Sequence, residues 1–107
     1  MNVLVICLNP TIQRTFVVDR FRVGEVNRAA QHRTDASGKG VNLARVLVQL
    51  GVHATHLTHS GGRDSPLFRG LAEHDGIEMD VVDADIEIRV AHTIVDRAQG
   101  STTELVE

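Results

Sequence analysis

The 107-residue sequence has no Trp, no Tyr and only three Phe. Any core must therefore be built from Val, Leu, Ile and Ala, which a chain of this length fills with difficulty. A single cysteine, Cys7, rules out an internal disulfide. Because it lies within an apolar run, it reads as a buried thiol in a reducing compartment, and the expected location is the cytoplasm. There are only two prolines, the charged fraction is 23% and the hydrophobic fraction is 42%, which argues against a disordered or fibrous chain. Long hydrophobic runs are missing too: the longest, residues 3–8, is far short of the roughly 20 residues of a membrane span. No cationic segment precedes it, so neither membrane insertion nor export is expected. Positive charge is not in excess: 11 Lys+Arg stand against 14 Asp+Glu for a net charge of −3. Nucleic acid is therefore not an expected partner.

What is there is an alternation of periods. Residues 1–8 (MNVLVICL) are nearly all apolar and rich in β-branching, the pattern of a strand buried on both faces of a parallel sheet, and Asn9-Pro10 ends it. Residues 15–19 and 29–35 are two further extended segments, the second much more hydrophilic, expected outside the main core. From Val41 the period changes: Leu43, Val46, Leu47 and Leu50 share one helical face, and Gly51 supplies the stop. Residues 52–59 read as a strand. Asp64 or Ser65 is expected to cap a second helix, with Pro66 in its first turn, Leu67, Phe68, Leu71 and Ala72 on one face and Gly76 after it. Residues 77–82 make a third core strand. Residues 87–96 and 101–107 flank a polar turn ending in Gly100 and form an antiparallel hairpin. The order is that of an α/β fold, with helical crossovers between parallel strands, followed by a ribbon. No internal repeat or separating linker interrupts it.

The densest functional signal is residues 35–42, DASGKGVN. Placed between an extended segment and a helix, its small residues permit close approach of a ligand, and the helix amides that follow present partial positive charge to it. An anionic or polyhydroxylated ligand suits such a turn. It is not a P-loop, because Arg33 stands where the first glycine would be and Gly40 where Ser or Thr would be. Nor is it a dinucleotide fingerprint, since Leu43 occupies the place of the last glycine. Lys39 and Asn42 flank the turn with groups a plain connector does not need.

These residues resemble the N-terminal signature of the PfkB carbohydrate kinase family, which is ribokinase-like in fold. The resemblance is carried by DASGKGVNLA at 35–44 with Gly51 and Gly61 after it, by LNPTI at 8–12, and by GEVNR at 24–28 and Thr103-Glu104-Leu105 of the phosphofructokinase branch. It implies the N-terminal part of a ribokinase-like three-layer α/β body (residues 1–10 and 36–85) with a small antiparallel β lid (strands within 14–35 and 86–107). The implied activity is transfer of the γ-phosphate of ATP, with Mg²⁺, to a hydroxyl of a ketohexose phosphate such as fructose 1-phosphate or tagatose 6-phosphate. By the same resemblance Gly38, Lys39 and Asn42 line the sugar site, Asn42 bonding to hydroxyls. Arg89 faces the phosphate already on the sugar, for which its guanidinium is a matched fork, and Arg28 is a second, weaker phosphate candidate. Gln13 stands where similar kinases carry aspartate, Ala91 near where they carry asparagine, and Ser37 in place of a glycine, so the hydroxyl pattern recognised is expected to differ. The catalytic base and the ATP site of such kinases lie in their C-terminal part, in a Gly-Ala-Gly-Asp-like turn that this sequence lacks. No catalytic residue is therefore expected within the 107 residues; the base is expected beyond Glu107, and the isolated chain is expected to be inactive. The alternative is a non-catalytic module that binds a sugar phosphate or forms a homodimer through the exposed strand edges of its lid.

Two other patterns carry less. His53, His56 and His59 would alternate on a strand, so that two face one side and one the other, and no partner stands at a zinc spacing. Asp80, Asp83, Asp85 and Glu87 lack the glycine and terminal glutamate of a calcium loop and read as solvated. No metal site is expected.

Overall fold

The computed structural model describes all 107 residues. The elements in chain order are β1 (Asn2–Cys7), β2 (Thr11–Val18), β3 (Gln31–Ser37), α1 (Lys39–Gln49), β4 (His53–Ser60), α2 (Ser65–His74), β5 (Glu78–Asp83), β6 (Arg89–Asp96) and β7 (Ser101–Val106). They form two sheets. One is parallel and three-stranded in the order β1-β4-β5; the other is four-stranded in the order β3-β2-β6-β7.

The spacing places both helices, but α1 turns a different face to the core from the one it indicates: Gly40, Val41 and Ala44 are buried, while Leu43, Val46 and Leu50 are 51%, 50% and 72% exposed. α1 begins at Lys39 rather than Val41, because Gly38, at a φ of +105°, turns the chain directly into it. Gly51 and Gly76, both at positive φ, follow the two helices as expected. Asp64 occupies the N-cap of α2 but its side chain makes no capping bond. α1 packs on β1 and β4, and α2 on β5 and β3, so both lie over one face of the parallel sheet. Between them lies the core: Val5, Val41, Ala44, Ala54, Phe68, Ala72 and Ile77, joined at the base of the second sheet by Ile12, Ala36 and Ile88.

β1 corrects the sequence reading. Only its alternate residues Val5 and Cys7 are buried; Leu4 is 58% exposed and Ile6 62%. The helices cover one face, and in this chain nothing covers the other. β1 is also an edge strand, paired only with β4.

The four-stranded sheet unites segments far apart in sequence. β2 and β3 pair antiparallel, as do β6 and β7, and the two hairpins are zipped together by a parallel ladder that sets Thr11 opposite Arg89 and Val18 opposite Asp96. β2 starts at Thr11 and β3 ends at Ser37, so both reach further toward the glycine turn than their sequence patterns indicate. The second hairpin is shorter than expected at both ends. β6 starts at Arg89 rather than residue 87, and β7 stops at Val106, leaving Glu107 outside the strand. Glu107 still bonds back to β6: its N–H donates to the Val90 carbonyl at 3.4 Å, and its carboxylate accepts from the Val90 N–H at 3.1 Å. At the far end Asp96 is buried and accepts bonds from the backbone N–H of Phe21 and of Gln99, each at 3.1 Å. Its burial alone would raise its pKa. The N–H donors of Gln99, Phe21 and Ala98, with Arg20 nearby, more than offset this and hold the carboxyl below its usual range. One carboxylate thereby ties the 19–30 loop to the β6–β7 turn.

Candidate functional site

The glycine turn is shaped by what lies behind it. A Cβ at Gly38 would sit 2.8 Å from the carbonyl oxygen of Asn9, and one at Gly40 would sit 2.5 Å from Cβ of Cys7 and 3.1 Å from Nε2 of His56. Only glycine lets the start of α1 press this closely on the end of β1. Ser37, in contrast, has no positive φ, so the serine there costs the turn no backbone strain.

The close approach leaves a cleft of about 390 Å³ where β1 ends and α1 begins, lined by Asn9, Gly38, Lys39, Gly40 and Arg89 with apolar residues from β1. Gly38 provides no side-chain cap, and the first turn of α1 holds no acidic residue. The first amides of α1 are therefore left for whatever enters, and the helix dipole adds to the charges of Lys39 and Arg89. No carboxylate lines the cleft; Glu107, two residues beyond Leu105 and bonded to Val90, stays outside it. Arg89 is steadied from below: its Nε donates to the hydroxyl of Thr11 at 3.1 Å, and that hydroxyl donates to the Asn9 carbonyl at 3.2 Å. Thr11 belongs to the Asn-Pro-Thr segment, yet only the β2–β6 register reveals its role.

Other expected site residues fall outside this lining. Gln13 lies one row further along the sheet face that carries Arg89, its amide donating to the hydroxyl of Thr93. Asn42 is exposed on α1, and its carboxamide oxygen accepts from Nη1 of Arg45 at 3.0 Å. Arg45 in turn bonds Asp75 at 2.8 Å and the Ala36 carbonyl at 2.7 Å. Asn42 is thus engaged in an α1–β3–α2 network rather than turned into the cleft. Arg28 is exposed in the 19–30 loop, away from the cleft lining.

The alternation of the three β4 histidines holds, with His53 and His59 on one face and His56 on the other, the buried one. His56 is fully buried behind Gly40, and neither ring nitrogen has a hydrogen-bond partner. Burial holds its pKa below the ordinary histidine value, so the ring is neutral at pH 7. The other two histidines of β4 find partners: His53 meets Glu78 at 2.6 Å and His59 the Leu8 carbonyl at 2.7 Å.

No protein-family profile matches the chain. Among characterised proteins it is 37% identical over 90 residues to a 1-phosphofructokinase of Vibrio cholerae, covering 84% of this chain and 26% of the relative. With a 1-phosphofructokinase of Xanthomonas campestris the identity is 35% over 77 residues, covering 72% and 24%. With a tagatose-6-phosphate kinase of Staphylococcus epidermidis it is 39% over 49 residues, covering 46% and 16%. The chain thus spans about a quarter of the two phosphofructokinases. In fold it superposes along its whole length on 35% of a protein from Thermotoga maritima described as a possible 1-phosphofructokinase, with a TM-score of 0.90 and 23% identity. It also superposes on 35% of the Escherichia coli phosphofructokinase-2 solved with fructose-6-phosphate, with a TM-score of 0.86 and 20% identity.

Proposed function

As a relative of the PfkB carbohydrate kinases, the chain is, we propose, the sugar-binding side of an ATP-dependent kinase that phosphorylates a hydroxyl of a ketohexose phosphate such as fructose 1-phosphate or tagatose 6-phosphate. The observation that carries this reading is the cleft: one guanidinium, one ammonium and an uncapped helix N-terminus converge on a space with no opposing carboxylate. That is the electrostatics of a site for a phosphorylated ligand. Arg89, braced by Thr11, would grip the phosphate already on the sugar, while the Gly38–Gly40 backbone approaches the sugar itself. The four-stranded sheet rises beside the cleft and would act as its lid, excluding water from the bound hydroxyls.

ATP would supply the transferred phosphoryl group. Mg²⁺ in such sites is held by one or two carboxylates together with substrate phosphates and water, and no carboxylate lines the cleft. The residues lining the cleft therefore do not fit Mg²⁺. In this proposal ATP, Mg²⁺ and the catalytic base would be held by segments beyond Glu107 rather than by these residues.

The partner reading is a homodimer through the four-stranded sheet. The face turned away from Arg89 holds a hollow of about 400 Å³ lined by Phe16, Val18, Phe21, Ala29 and Ile94 with Asn27. A second copy seated there would cover apolar surface without blocking the cleft.

Calorimetric titration of the chain with fructose 1-phosphate tests the site. Binding is expected for the native sequence and, for Arg89→Ala, a loss of about 1.5–3 kcal/mol, the worth of a charge-assisted hydrogen bond. Equal heats with and without Arg89, or no binding at all, would remove the sugar-phosphate reading. Turnover by the chain alone, in proportion to its concentration, would remove the claim that the base lies elsewhere.

A further inference from the structure

The sheet register places the side chains of the four-stranded sheet in rows. Thr11 stands opposite Ser37 on one side and Arg89 on the other, forming the row that borders the cleft. The next row on the same face is Asp35, Gln13, Ala91 and Val106; beyond it come Arg33, Thr15, Thr93 and Glu104. Successive rows are two residues, roughly 7 Å, apart. A hexose whose phosphate sits at Arg89 and whose ring lies along this face would bring hydroxyls to the second row.

The second row has a particular chemistry. Ala91 offers no polar atom, and Gln13 has one amide N–H committed to Thr93. That leaves Gln13 one N–H donor and its carbonyl oxygen. Asp35 adds the charge: of the two paired carboxylates on this face, Asp35 and Glu104, it alone stands in the row beside Arg89. Its side chain is 28% exposed, so it is reachable. Its single protein partner is Nε of Arg33 at 2.9 Å, which leaves lone pairs on both oxygens.

We propose that Asp35 is a specificity-determining residue of this site: its carboxylate accepts hydrogen bonds from hydroxyls of the phosphorylated sugar, while Gln13, directly across the β2–β3 ladder, supplies a donor and a neutral acceptor beside it. The substrate class is a polyhydroxylated phosphate ester that presents adjacent hydroxyls toward the sheet, one donating to the charge and one accepting from the amide. The inference rests on the reading of the cleft as a sugar-phosphate site. Cross-strand neighbours stand about 5 Å apart, within reach of vicinal hydroxyls.

The test is titration of the native chain, Asp35→Asn and Arg33→Ala with fructose 1-phosphate and, separately, with inorganic phosphate. Asp35→Asn keeps the shape and removes the charge. It is expected to weaken fructose 1-phosphate about tenfold, as loss of a charge-assisted bond does, and to leave inorganic phosphate unchanged. Arg33→Ala removes the ion pair but keeps the acceptor, and is expected to leave sugar-phosphate binding intact. If Asp35→Asn binds fructose 1-phosphate as the native chain does, Asp35 has no such role and the cleft reading stands. If Arg33→Ala loses as much as Asp35→Asn, the carboxylate acts only by ordering β3, and the proposal fails. If the native chain binds fructose 1-phosphate no better than inorganic phosphate, hydroxyl recognition fails while the anion site survives. Binding of neither ligand overturns this inference together with the reading it rests on.

Discussion

The two sheets are held together in different ways. In the parallel sheet β1-β4-β5 the packing is on one face, where Val5, Ala54 and Ile77 meet Val41, Ala44, Phe68 and Ala72 of the helices; on the other face Leu4, Ile6 and Val82 are exposed. The four-stranded sheet contributes to that core only at its base, through Ile12, Ala36 and Val90. Above the base it is held by its backbone ladders and by single ties such as Asp96, and β7 is exposed along its whole length. Side-chain burial specifies the first sheet, and register specifies the second. The cleft lies at their junction and takes its backbone approach from the first and its arginine from the second.

The largest expected effect strikes the first sheet. Phe68 is fully buried at the centre of the helix layer. Phe68→Ala should cost about 3–5 kcal/mol, seen as a lowered urea midpoint. A loss below about 1 kcal/mol would mean that burial does not govern this half of the molecule.

A smaller effect comes from pH. His56 is buried neutral with its pKa depressed, so the unfolded state binds its proton more readily. Its contribution is complete above about pH 6.5, the ordinary histidine value, and is lost as pH falls below it, by at most about 1.4 kcal/mol per unit. Urea unfolding at pH 7.5 and 5.5 should show the loss, and His56→Leu should flatten it. Asp96 does not confuse that window. Its depressed pKa stabilises above the ordinary carboxylate value of 3.8 and is lost only below it. A slope unchanged in His56→Leu would show that the ring behind Gly40 is not the titrating group.

The smallest effect is on the uncovered face. Ile6→Gln should change stability by no more than about 0.5 kcal/mol, because Ile6 is 62% exposed. In light scattering it should lower self-association at high concentration. A large destabilisation instead would show that this face is covered.

Much of the first sheet was legible in the sequence, and much of the second was not, for the same physical reason. The three- and four-residue spacing of Leu43, Val46, Leu47 and Leu50 announces α1, and Gly51 its end, since those signals are local. β1 misled because its residues are apolar on both faces, and the pattern alone does not say that a layer is missing over Leu4 and Ile6. β2 showed only its end from Thr15 onward, since Thr11, Gln13 and Arg14 are strand residues through pairing with β3 and β6. The glycine turn was legible as chemistry, and Arg89 only through the family resemblance. Their meeting, Thr11 as the brace of Arg89, Asn42 in the Arg45 network and buried His56 follow from register and packing, which no spacing encodes.

The parallel ladder between β2 and β6 also fixes a sequence of events. Thr11 and Arg89, joined by a hydrogen bond, are 78 positions apart. Closing so long a loop is entropically costly and slow compared with forming α1 or either hairpin. During synthesis, β2 and β3 must leave the ribosome and wait, one edge of β2 unpaired, until nearly the whole of this chain has followed. The arginine that completes the cleft arrives with the strand that ends the wait, so the cleft is assembled late in folding.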